Sequence, residues 1–105
     1  MVREKRQHHR GALVAPVVVS APDGAAFHST SQDISVGGMY LESEVNPAIG
    51  LAVTVSFQLP GLGPVELPGF VRWVKTGGYG VQFGPIGPRE THAIGKIVRG
   101  SISGA

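Results

Sequence analysis

Between Leu51 and Leu59 the chain alternates strictly: Leu51, Val53, Val55, Phe57 and Leu59 are apolar, with Ala52, Thr54, Ser56 and Gln58 between them. A period of two means an extended strand with one face buried and the other in water. Such a strand is not stable alone and needs further strands to share its apolar face. The main competing architecture, a helical bundle, is disfavoured by composition. Among 105 residues there are 16 glycines and 8 prolines, both of which weaken helix interiors.

The remaining segments supply partners. Leu13–Val19 is rich in valine, with Pro16 suggesting an edge position. Pro22-Asp23-Gly24 is a turn in which proline fixes φ and glycine permits a positive one. Ala26–Ser35 reads as a polar strand, broken by Gly37-Gly38 and resumed over Met39–Glu42. The segment Pro60-Gly61-Leu62-Gly63-Pro64 is a turn before a long strand, Val65–Lys75. In that strand the alternation puts Val71 and Trp73 on one face and Phe70, Arg72 and Val74 on the other. Gly77-Gly78 then turns the chain into Tyr79–Phe83. Six short strands with short connections pair antiparallel, and closing them into a barrel removes exposed edges.

The end of the chain changes period. After Gly87-Pro88, residues Ile94, Ile97 and Val98 fall at i, i+3 and i+4, which predicts a helix over Arg89–Arg99. Pro88 and Glu90 suit its start, Lys96 and Arg99 its end, and Gly100 is expected to stop it. The expected fold is therefore all-β. It comprises a six-stranded antiparallel β-barrel over 13–86, a C-terminal α-helix over 87–101 and a flexible basic N-terminal arm over 1–12, forming one domain over 1–105.

Charge and composition exclude several function classes. In the first ten residues Arg3, Lys5, Arg6 and Arg10 outweigh Glu4, while the rest of the chain carries five cations and six anions. A cationic arm on a near-neutral body attracts anions, most often phosphates. There is no cysteine, which removes disulfides, thiol catalysis and cysteine zinc sites. No apolar run is long enough to span a bilayer and no signal peptide is visible, so a cytoplasmic protein without membrane insertion is expected. Ser35 lacks a nucleophile-elbow context, and the adjacent His8-His9 pair lacks the spacing of a helical metal pair. Neither an enzyme nor a metal site is expected. The aromatic residues do not group in sequence as a stacking platform, which argues against nucleic acid as the partner.

Two motifs carry chemistry. Arg6-Gln7-His8-His9-Arg10 is an R-x-x-x-R, and Asp33-Ile34-Ser35-Val36-Gly37-Gly38 is a D-x-S-x-x-G. Each alone has a plain explanation: a solvated basic terminus, and a strand-end turn built by local Asp and Ser hydrogen bonds with glycine at positive φ. Found together, in this order, one just before the first strand and the other between the second and third, they are far more specific. With them the chain resembles the PilZ domain family, bacterial receptor modules for the second messenger cyclic di-GMP. The resemblance extends over essentially the whole chain, through Val71-Arg72-Trp73, Gly80-Val81-Gln82-Phe83 and the closing helix.

The resemblance implies that Arg6 and Arg10 clamp guanine and phosphate of cyclic di-GMP. It implies that Asp33 and Ser35 hold a guanine edge and that Gly37 or Gly38 leaves room for it. Lys5 stands where the family often has another arginine and is placed to reach a phosphate. Elementary chemistry agrees with these roles. Guanine O6 and N7 are adjacent acceptors that match an arginine fork, and adenine puts a donor where O6 sits. A carboxylate accepts guanine N–H groups, and a serine hydroxyl donates or accepts. The implied function is a cyclic di-GMP receptor or adaptor, with no other cofactor. Its arm would change on ligand binding and signal to an unidentified effector protein in the control of motility, exopolysaccharide or virulence. His8 and His9, between the arginines, are expected to face solvent. The alternative is a PilZ-like protein-interaction module that does not bind the nucleotide.

Overall fold

The computed structural model describes residues 9–103, so Lys5, Arg6 and His8 lie outside the described residues. Seven strands precede one helix: β1 (Gly11–Ala12), β2 (Pro16–Ser20), β3 (Ala26–Ser35), β4 (Gly38–Glu42), β5 (Ala52–Leu59), β6 (Gly63–Lys75), β7 (Gly78–Phe83) and α1 (Pro88–Ser103). Every pairing is antiparallel. The order β3-β2-β5-β6-β7-β4 returns to β3 through the β3–β4 pairing, which closes a six-stranded barrel. β1 is an additional short strand alongside the end of β3.

The expected strand Leu13–Val19 starts only at Pro16, and the last two residues of the expected arm form a short strand of their own in the sheet. The chain leaves the ladder between Ala12 and Pro16, and Ser31 fills the gap. Its buried hydroxyl accepts a hydrogen bond from Ala15 N–H at 3.0 Å and lies within donating distance of the Leu13 and Ala15 carbonyls. The serine thereby satisfies the Ala15 N–H and the Leu13 carbonyl, while the Ala15 carbonyl also accepts from Ser31 N–H at 2.8 Å. Pro16, lacking an N–H, opens β2 where no ladder bond is lost.

The core is what the alternation specifies. Val53, Val55, Phe57 and Leu59 of β5 are buried together with Val65, Leu67 and Val71 of β6 and Tyr79, Val81 and Phe83 of β7. The β5–β6 turn has Pro60 and Gly61 at its centre, with Leu62 N–H bonded to Leu59 O at 2.9 Å and Gly61 at φ +87°. That is the positive φ which the second central position of a type II turn requires.

The helix α1 covers one end of the barrel with Ala93, Ile94 and Val98. Pro88 is its first residue, as expected, and the Gly87 carbonyl accepts from Thr91 N–H at 3.0 Å and Thr91 Oγ1 at 2.9 Å. Its end differs from expectation. Gly100 does not stop the helix, which runs on to Ser103, so the last turn contains no basic residue. Glycine lowers helix stability without forbidding it. Among the described residues no helix is long and apolar enough to cross a membrane.

Candidate functional site

Two β-bulges shape the outer face of the barrel. In β3 the register slips between Ser31 and Asp33, opposite Leu41 and Tyr40 of β4. In β6 it slips between Val71 and Trp73, opposite Val81 and Gly80 of β7. One extra residue in a strand reverses the facing of everything after it. Ser29 and Ser31 are buried, so an uninterrupted β3 would also bury Asp33; instead Ile34 is buried and Asp33 is turned outward. Val65, Leu67 and Val71 are buried, so an uninterrupted β6 would bury Trp73. Instead Trp73 is 40% exposed, and the sequence expectation that it shares a face with Val71 is overturned.

The two slips align Asp33, Tyr40, Gly80 and Trp73 in one row across β3, β4, β7 and β6. This row is the floor of a surface depression of about 1030 Å³. Gly80 has no side chain, so the Tyr40 and Trp73 rings meet above the strand between them. Their centroids are 5.3 Å apart and their planes 21° from parallel. A Cβ on Gly80 would collide with the Trp73 indole. Lys75 Nζ lies 5.1 Å from the Tyr40 ring centroid, within cation–π range. The aromatic residues thus do group, contrary to the sequence reading, because strands distant in sequence bring them together.

The polar end of the depression is made by the two motifs. Arg10 immediately precedes β1, and the pairing of Ala12 with Asp33 carries it to the carboxylate. Arg10 Nε donates to Asp33 Oδ1 at 2.6 Å, and Nη2 lies 2.6 Å from the same oxygen. Nη1 reaches Ser35 Oγ at 3.4 Å. Both side chains of the pair are partly exposed, at 25% and 34%.

Ser35 itself is buried. Its hydroxyl accepts from Gly37 N–H at 3.1 Å and is 3.5 Å from the Gly38 carbonyl, so it builds the β3–β4 turn while facing Arg10. The Gly37 carbonyl accepts from Phe83 N–H at 2.8 Å, which ties this turn to β7.

Neither Gly37 nor Gly38 has the positive φ expected of them. Glycine at 38 has a different physical reason. A Cβ there would fall inside contact distance of the Val81 carbonyl oxygen, with Val81 C and Gln82 Cα both at 3.1 Å. Gly38 is what lets β4 lie against β7.

Arg10, Asp33, Ser35, Gly37 and Gly38 therefore all line one depression. Arg72, Lys75, Tyr40, Trp73, Gly80 and Gln82 line it too; none was expected as a site residue, although the resemblance runs through Val71-Arg72-Trp73 and Gly80-Val81-Gln82-Phe83. The detectable signal was Gly78-Tyr79-Gly80, alternate glycines on the outward face of β7, over which large side chains from neighbouring strands can lie. Arg10, Arg72 and Lys75 against Asp33 give the lining a net positive charge. His9 is exposed. Among the described residues no group of three or more His, Cys, Asp or Glu is placed to hold a metal ion.

The PilZ domain family model matches residues 4–100. The chain belongs to the PilZ domain family. The solved PilZ domain of YcgR from Escherichia coli, described with c-di-GMP, superposes with a TM-score of 0.77 at 15% identity, covering 96% of this chain and 94% of that one. The Bacillus subtilis inhibitor of motility MotI/DgrA gives 0.80 at 16% identity, over 96% of this chain and 53% of that one. The MrkH–c-di-GMP complex of K. pneumonia gives 0.74 at 18% identity, over 98% and 55%. This PilZ chain thus spans about half the length of MotI/DgrA and MrkH. At these identities the likeness is one of fold. Comparison with curated proteins finds no match.

Proposed function

We propose that this PilZ domain is a receptor for cyclic di-GMP, bound in the depression between the arm and the outer face of β3, β4, β7 and β6. The single observation that carries the reading is the convergence of Arg10, Asp33 and Ser35, from two motifs far apart in sequence, at one end of a cationic, aromatic-floored depression. That combination suits a ligand with two phosphates and two purines. The family and the c-di-GMP complexes of YcgR and MrkH support the same ligand.

In this reading Arg10 is held ready by Asp33, and its fork turns to guanine O6/N7 or to phosphate when the ligand arrives. Both Arg10 contacts use Asp33 Oδ1, so Oδ2 is not engaged by Arg10 and suits a guanine N–H. Ser35 fixes the turn and steers the guanidinium. Gly37 keeps the rim of the depression low, and Gly38 lets β4 and β7 come together beneath it. Arg6 and Lys5 supply the second fork and a phosphate contact from the arm. Arg72 and Lys75 provide charge on the opposite side, and the Tyr40–Trp73 pair offers an apolar floor for a purine. The arm wraps the ligand, and the changed surface is read by an effector protein in control of motility or exopolysaccharide.

Calorimetric titration with cyclic di-GMP, with GMP and single-stranded DNA as controls, tests this. The expected result is saturable binding of cyclic di-GMP alone, weakened in Arg6→Ala and Arg10→Ala. No heat from cyclic di-GMP with correctly folded protein would refute receptor function and leave a protein-interaction module. Limited proteolysis tests the arm: ligand should protect the bonds after Arg6 and Arg10, and equal cleavage with and without it would refute the wrapping.

A further inference from the structure

The helix α1 has a second face that neither the barrel nor the depression uses. Ala93, Ile94 and Val98 are buried against the barrel, while Arg89, His92 and Lys96 are exposed. Their spacing of three and four residues places them in one stripe along a helix. Outside the arm the chain has five cations, and three of them are on this helix. Its one carboxylate, Glu90, is only partly exposed and turned back to the start of the helix, where a Cβ on Gly87 would meet Oε1 at 2.7 Å. A strongly basic stripe therefore stands on a body that is otherwise slightly acidic.

Beside the stripe runs a groove of about 390 Å³, floored by Gly61, Leu62, Pro88 and Ala93 and edged by Arg89, His92 and Lys96. We propose that this face docks an acidic segment of a protein partner, with carboxylates along the stripe and one apolar side chain in the groove. Charge complementarity selects the acidic partner. The concavity selects a protein over an anionic bilayer. A flat surface cannot enter a groove, and the apolar face that an interfacial helix would insert is already buried in the barrel. The location also suits an output surface. β1, next to Arg10, packs directly on α1, where a Cβ on Gly11 would approach the Ile97 carbonyl oxygen to 2.9 Å. The docking itself does not require the nucleotide site to be occupied.

The test uses the full chain and a fluorescein-labelled, glutamate-rich helical peptide carrying a leucine pair, followed by anisotropy. The peptide should bind. The double variant Arg89→Glu/Lys96→Glu should weaken it about tenfold, as two reversed exposed charge pairs would. Replacing the peptide leucines by serine should weaken it severalfold. Cyclic di-GMP titration of the double variant should match that of the unmodified chain, so a failure here is distinguishable from a failure of the receptor reading. Amide shift mapping with the peptide should centre on Leu62, His92 and Lys96, which guards against a variant that merely misfolds. Binding that survives charge reversal, or that is lost only on Lys5→Ala/Arg6→Ala, would overturn the proposal. Phosphatidylglycerol vesicles competing with the peptide for the same residues would overturn it in favour of a membrane surface.

Discussion

Replacing Gly38 by alanine separates two explanations of a motif glycine. If Gly38 serves the ligand, the variant folds normally and binds poorly. The packing predicts the reverse. The added methyl would fall inside contact of the Val81 carbonyl oxygen, with Val81 C and Gln82 Cα at 3.1 Å, all of it backbone in a neighbouring strand. No rotamer relieves such a clash, so β4 and β7 must separate locally by roughly 1 Å to restore normal contact. The strand concerned has five residues and is the one through which β3 closes the barrel on β7. Losing two ladder hydrogen bonds with their groups left buried costs about 1–3 kcal/mol each, or roughly 2–6 kcal/mol together. Against a typical stability of about 5–15 kcal/mol this is a large fraction. Urea denaturation followed by circular dichroism reads it directly. With m about 1.5 kcal/mol/M, a loss of about 4 kcal/mol lowers the midpoint by roughly 2.5 M. An unchanged midpoint with cyclic di-GMP titration abolished would refute the packing argument and return Gly38 to the ligand.

Further consequences are open to measurement. Gly80→Ala pushes against the movable Trp73 side chain rather than backbone. It should therefore fold with a loss of only about 1 kcal/mol from the disturbed Tyr40–Trp73 stack, seen in the same denaturation experiment, while Trp73 fluorescence shifts and ligand affinity falls. Arg10→Ala leaves Asp33 without its guanidinium at a partly exposed position and should cost about 1 kcal/mol of stability. Its effect on cyclic di-GMP should be larger, about 1–3 kcal/mol for a lost arginine–guanine pair, or roughly tenfold to a hundredfold in Kd by calorimetry. Burial pushes the Tyr79 phenol above its ordinary value near 10, partly offset by its 2.6 Å hydrogen bond with Ser29 Oγ. The unfolded chain then gives up this proton at lower pH than the folded one, so the contribution is intact below about pH 10 and is lost as pH rises through the raised value. Melting temperature should fall in that range, and Tyr79→Phe should remove that component of the decline.

How much of this was legible in the sequence turns on where the period of two holds. Over β5 it holds without interruption: Val53, Val55, Phe57 and Leu59 are inside as expected, and Leu51, just before the strand, is half-buried against the core. The closed barrel follows from that pattern together with turn residues whose φ values are chemically dictated, such as Gly61. The motif residues were legible because they are local: Asp33, Ser35, Gly37 and Gly38 lie on one hairpin, and the family resemblance ties them to Arg10. Tyr40 and Trp73 were not legible as a site, because they join it through two register slips, each recorded only in the partner strand. Nothing about Gln32 or Arg72 as residue types announces the slip beside them. Yet the same slips that defeat the alternation rule turn Asp33 and Trp73 out of the core. A regular sheet reading this sequence would bury a carboxylate and an indole at those positions, and burying the unpaired carboxylate would cost several kcal/mol. The interruptions in period are thus where the barrel ceases to serve its own stability and presents a surface, which is why both register slips fall on the candidate site.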